Sequence, residues 1–185
     1  MLNDSCIAPA RHLFAIIRIQ NMKKKTTLVM ASICMAMTAM AGESIVALKR
    51  EMALKSGEEK KAVVSELIKA LTFRGDEEQK RQDYRAALVT YGEALAILKK
   101  FPGLSPSPHL LNKTGLVKLI MGDYDLALDF LLKSLAAAED AGDRAYITQS
   151  AYLIGYAHRD LGNLDLSLRY FHMARESSLA GKDPY

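Results

Sequence analysis

The chain has 185 residues, with 25 Lys and Arg against 21 Asp and Glu, a net charge of +4, and two cysteines. That length is enough for one domain with a substantial core. The excess charge is local: Arg11, Arg18, Lys23, Lys24 and Lys25 face only Asp4 within residues 1–41, and the remainder is balanced, which removes the electrostatic case for a nucleic-acid binder. Cys6 and Cys34 lie in that same stretch, so the rest of the chain carries no disulfide, thiol nucleophile or cysteine metal site.

From Met22 the sequence reads MKKKTTLVMASICMAMTAMAGES. Three lysines, a short apolar run and the small-x-small triplet Ala39-Met40-Ala41 predict a secretory signal peptide over 22–41, cleaved after Ala41. The apolar run is short for a membrane span, though an uncleaved anchor is the alternative. Cys34 follows Ile33, where a lipoprotein signal wants a small residue. Residues 1–21 then read as an upstream extension before a start at Met22, against a rival organelle transit peptide suggested by Arg11 and Arg18. The expected location is periplasmic or secreted.

Residues 42–66 read as an N-terminal half-repeat helix and its lead-in. Ala47-Leu48 lies 40 residues before Ala87-Leu88, in the phase of the later second helices. Ser56-x-x-Glu59 has the spacing of a capping box, in which a serine and a glutamate satisfy each other's free amides. The helix it starts should run to about Arg81, and Asp83 should cap the next, to about Lys100. FPGLSPSP, 101–108, is a loop, closed by Ser107 as cap and Pro108 in the first turn. Further helices are predicted at about 108–121, 124–141, 144–161 and 164–180, with Gly142-Asp143 as a stop and restart. No segment alternates as a strand does, so the class is all-α with seven helices.

Much of this chain is one pattern written three times. Gly75, Gly115 and Gly155 stand 40 residues apart, each followed seven residues later by Gln82, Gly122 or Gly162 and then by Asp83, Asp123 or Asn163. In the same phase come Tyr84, Tyr124 and Leu164, then Ala87, Ala127 and Ser167, and later Ala94, Ser134 and Ala174. Leu88, Leu128 and Leu168, with Tyr91, Leu131 and Phe171, fill the seam between the small residues. A helical glycine costs about 1 kcal/mol against alanine, so three in phase imply close approach of a neighbouring helix; a larger residue at Gly115 should force the second and third hairpins apart. A hairpin of this kind buries its apolar face only by stacking on its copies.

With Leu111, Gly115, Gly122-Asp123-Tyr124, Ala127-Leu128, Leu131 and Ser134, the chain resembles the tetratricopeptide repeat (TPR) family. The match covers units of about 67–106, 107–146 and 147–185. It departs from the commonest form in having Leu71, Leu111 and Ala151 where an aromatic is frequent, in lacking the closing proline, and in a period of 40 rather than about 34. The longer period resembles a bacterial subclass with an extended second helix. The resemblance implies a TPR-type α-solenoid of three hairpins plus the half-repeat helix, acting as a non-enzymatic scaffold for a protein or peptide.

Several site-like patterns have plainer explanations. Asp123, Asp125 and Asp129 lack the glycine turn and terminal glutamate of a calcium loop and suit a helix start. His158 and His172 across a hairpin lack a positioned carboxylate for a metal. Ser150, His158 and Asp160 include the residue types of a hydrolase triad, but residues two apart on a helix do not face each other. No cofactor, metal or nucleic-acid partner is expected.

The resemblance points instead to the concave face built by the first helix of each unit. Helical phase assigns to it Thr72, Asp76 and Gln79, then His109, Asn112, Leu116 and Leu119, then Gln149, Tyr152, Tyr156 and Arg159. Tyr152, Tyr156 and Arg159 form one stripe offering rings, hydroxyls and a charge; the alternative is that they pack on a missing next repeat. Chaperone-tail adaptors of this family hold a carboxylate with a Lys and an Asn where Thr72 and Asp76 stand here, so that role is not expected. Two functions remain: an exported peptide- or protein-binding scaffold, or the N-terminal sensory array of a longer regulator. The uncapped last hairpin also offers a surface for self-association.

Overall fold

The computed structural model describes residues 43–180. The chain divides into two units, Met1–Val46 and Ala47–Tyr185. Of the first, only 43–46 are described, and they are helical. The signal peptide, its cleavage site and the upstream extension lie outside the described residues.

Seven helices and no strand occur among the described residues: α1 (43–54), α2 (Gly57–Lys80), α3 (Tyr84–Lys99), α4 (Pro108–Ile120), α5 (Tyr124–Ala141), α6 (Arg144–Asp160) and α7 (Leu164–Ala180). Each first helix of a hairpin ends in the same way. Gln82, Gly122 and Gly162 adopt positive φ (63°, 79° and 78°), and the amide of the next residue reaches back to Glu78, Lys118 and His158 carbonyls. That left-handed closure satisfies carbonyls that the last turn leaves free. Gln82 holds it without being glycine.

Helix starts follow the sequence with two corrections. Asp83, Ser107 and Asp143 accept hydrogen bonds from the amides of Ala86, Leu110 and Tyr146. Ser56 occupies its cap position but its hydroxyl makes no capping bond, and the Glu59 carboxylate, the other half of the expected box, is paired with Lys55 at 2.9 Å. Asp123 likewise makes no side-chain cap; Lys118 holds its carboxylate at 2.8 Å. No described helix is long and apolar enough to cross a membrane.

Helices α2/α3, α4/α5 and α6/α7 pack as hairpins. The phased glycines explain the pairing. A Cβ on Gly75 would strike the ring of Tyr91; on Gly115 it would lie 2.6 Å from Leu131 Cγ, and on Gly155 2.7 Å from the ring of Phe171. Each glycine is therefore the socket for one large side chain sixteen residues on, in its own hairpin. This corrects the expectation that Gly115 spaces the second hairpin from the third. The small residues Ala87, Ala94, Ala127, Ser134, Ser167 and Ala174 are all buried, which lets the second helix approach.

Two joints connect the three hairpins, and they differ. Between the second and third, Ala127, Leu131, Leu135 and Ile154 form a buried apolar cluster, with Leu119 and Ile147 packed against it. Beside it runs a buried polar chain: Asn112 Nδ2 donates to Ser150 Oγ (3.0 Å), Ser150 and Ser134 hydroxyls meet at 2.9 Å, and Ser134 Oγ donates to the Pro108 carbonyl at 2.9 Å. At the first joint, between α2/α3 and α4/α5, His109 bonds to Asp76 and a cleft opens beside them.

Candidate functional site at the first joint

Asp76 sits on the last third of α2, where helical phase turns it toward α4. Tyr91 Oη donates to its Oδ1 at 2.7 Å, and His109 Nε2 lies 2.8 Å from its Oδ2. Burial alone would raise the Asp76 pKa, but the bonds from His109 and Tyr91, with the charges of His109 and Lys113, outweigh it and hold the carboxyl below its ordinary value. An ionised carboxylate only accepts, so the His109 Nε2 proton points at it. Tyr91 responds oppositely: desolvation, then the bond to Asp76, push its pKa upward, so its hydroxyl is a fixed donor.

This pair is the wall between two depressions. On one side is a cleft of about 380 Å³, lined by Ile68, Phe73, Leu98 and Leu104 with hydroxyls of Ser65, Thr72, Ser105 and Ser107. It exists because α2 is 24 residues long and α4 only 13, so the loop before Pro108 and not a helix faces the overhanging half of α2. Phe73 is 49% exposed there. On the other side a shallower groove of about 300 Å³ crosses all three first helices, lined by Asp76, Gln79 and Lys80 of α2, His109 and Lys113 of α4, and Tyr146 and Gln149 of α6. The rings of Tyr146 and His109 are 5.8 Å apart and tilted by 32°.

The residues selected from sequence fall into three places. Asp76, Gln79, His109 and Gln149 come together in the groove. Thr72, Asn112 and Leu119 are drawn into packing: Thr72 lines the cleft but is 9% exposed and donates to the Ile68 carbonyl, Asn112 is 2% exposed, and Leu119 joins the apolar cluster. Leu116 is half-buried. Tyr152, Tyr156 and Arg159 instead share a separate surface with Phe171, Ala174 and Arg175, on the side of the third hairpin that no described helix covers.

Reasoning from phase alone missed Phe73, Lys113, Tyr146 and the loop residues Leu104 and Ser105. Lys113 was legible, being one turn beyond His109, and Phe73 is an apolar residue on the polar side of α2. Tyr146 carried no signal, since its role depends on how α6 starts against α4. His158 stacks on Tyr170, with ring centroids 5.7 Å apart, while His172 is exposed.

Solved structures share this architecture. A structure described as MamA superposes with TM-score 0.53 at 18% identity, over 78% of this chain and 81% of that one. BtubC from P. vanneervenii gives 0.55 at 19% identity over 75% of this chain, which spans 54% of BtubC. MamA 41-end from Desulfovibrio magneticus RS-1 gives 0.50 at 21% identity, covering 74% and 75%. The chain thus has the fold of a TPR-like helical solenoid. No protein-family model and no curated protein matches it.

Proposed function

We propose that the protein is a non-enzymatic scaffold that binds an extended peptide segment of a partner protein across the first joint, outside the cytoplasm. The observation that carries the binding is the arrangement around Asp76 and His109: an apolar cleft on one side of the pair and a groove of amides and charges on the other. A partner side chain of apolar character enters beside Phe73, Leu98 and Leu104. Its backbone then runs past Gln79 and Gln149, whose amides both donate and accept, and Lys113 receives an acidic or carbonyl group. Similarity to solenoids of known structure supports a scaffold in fold alone. Export rests on the MKKK start and the Ala39-Met40-Ala41 site.

Peptides selected from a displayed random library against the full chain test the site. Phe73→Ala and Lys113→Glu should each weaken the selected peptides by about tenfold, the scale of a modest interface anchor. Equal binding by both variants and wild type would refute the assignment. N-terminal sequencing of protein from the producing cell tests export: a start at Gly42 supports it, and an intact Met1 or Met22 in the cytoplasm refutes it.

A further inference from the structure

The side of the third hairpin that no described helix covers is not an ordinary solvated surface. Tyr152, Tyr156 and Phe171 form a ring cluster there, with centroids 4.7–5.7 Å apart, and the Tyr152 and Tyr156 hydroxyls meet at 2.9 Å. Arg159 lies over the Tyr156 ring at 4.3 Å with its guanidinium bonded to Asp160 at 2.8–2.9 Å, and Arg175 borders the same hollow of about 510 Å³. The repeat says what such a surface meets. Forty residues earlier the matching positions are Asn112, Leu116, Leu119, Leu131 and Leu135. In the second unit that face is covered by α6, with Asn112 bonded to Ser150 and Leu135 packed with Ile154.

The exchanges between the two faces follow a pattern. The centre remains apolar and becomes aromatic, with Tyr156 for Leu116 and Phe171 for Leu131. Two margin positions change from leucine to arginine, Leu119 to Arg159 and Leu135 to Arg175. A surface built only for water has no reason to keep Tyr152 48% exposed beside two further rings. A second copy meeting it face to face would bring four arginines together, which opposes that pairing.

We propose that this end face docks an amphipathic helix of a partner protein, apolar along its centre and acidic along its margins, in the place a following first helix would take. The site is separate from the groove at the first joint. The apolar stripe covers the Tyr152–Phe171 cluster, and an acidic margin meets Arg175, while Arg159 stays over Tyr156 and bonded to Asp160.

The test uses the full chain and two synthetic amphipathic helices with the same Leu/Ala stripe, one with glutamate margins and one with lysine margins. The glutamate version should bind about tenfold more tightly at low salt, and Arg175→Glu should reverse that preference. Lys113→Glu, in the groove, should leave binding of both helices unchanged. Because Arg175 is exposed, circular dichroism of Arg175→Glu should match wild type. Equal binding of the two helices, no binding of either, or an unchanged preference in Arg175→Glu would overturn the proposal. So would a dimer of the chain alone that Tyr152→Ala dissolves, since the occupant would then be a second copy.

Discussion

The two joints of the solenoid connect equivalent hairpins by different physics. At the second, leucines and an isoleucine close over each other, and the polar groups that must be buried bond to one another through Asn112, Ser150 and Ser134. At the first, Asp76 accepts from Tyr91 and bonds to His109, and the mismatch between a long α2 and a short α4 leaves a cleft beside them. The lesson is that a repeat can keep the glycine socket of its hairpin seam while its stacking surface varies. The second joint is closed by apolar packing, and the first has a cleft beside it.

Substitutions should separate the joints by size of effect. Ile154→Ala, at the centre of the closed joint, should lose about 2–5 kcal/mol from lost burial and a cavity. Phe73→Ala, beside the open one, should stay within about 0.5 kcal/mol, as for other exposed positions. Urea denaturation of both variants measures the difference, and equal losses would erase the distinction.

The next contrast lies inside the hairpins. A Cβ on Gly115 meets Leu131 and, at 3.2 Å, the Ala127 carbonyl, which belongs to the backbone and yields little. Gly115→Ala should therefore cost about 1–3 kcal/mol through overpacking. Gly92 is also helical, but a Cβ there meets nothing within 4 Å. Gly92→Ala should stabilise by about 0.4–1 kcal/mol by restricting the unfolded chain. Opposite shifts in melting temperature would confirm that the phased glycines are sockets and Gly92 is not.

The hairpin pattern was legible because it depends on local spacing: the glycine, the left-handed turn and the large residue that fills the glycine all recur at one phase. The caps were legible where a side chain had no better partner, as at Asp83, and misleading where a lysine competed, as at Asp123. The site was only partly readable. Asp76, Gln79, His109 and Gln149 follow from phase, yet the same phase also selected Asn112 and Leu119, which the neighbouring hairpin covers. It likewise selected Tyr152, which no described helix covers. Phase identifies the face of a helix; only the presence of a following hairpin decides whether that face is joint or surface.

Single polar substitutions should give a smaller contrast. Asn112→Ala removes a buried donor from the closed joint and should cost about 1–3 kcal/mol. His109→Ala breaks a partly exposed pair and should cost less than about 1 kcal/mol. A larger loss from His109→Ala than from Asn112→Ala would mean that the Asp76–His109 bond contributes more to stability than the buried polar chain of the second joint.

The smallest effect is a shift with pH. The Asp76 carboxyl is held below its ordinary value, so its contribution is present above the unfolded pKa of about 3.9 and is lost as pH falls through the folded value. Removing His109 takes away the leading group that lowers it. Stability of His109→Ala should therefore fall less than that of wild type as pH is lowered, measured as urea midpoints over roughly pH 2–5. Superimposable profiles would show that the pair does not govern Asp76.

The most direct test of the division between a closed and an open joint is amide chemical-shift mapping of the labelled full chain with the selected peptides. Shifts should concentrate at Ile68, Phe73, Asp76, Leu104, His109 and Lys113, with Leu131, Ile154 and Leu135 unmoved. Shifts centred on α5, α6 and α7, with the first joint silent, would contradict the account.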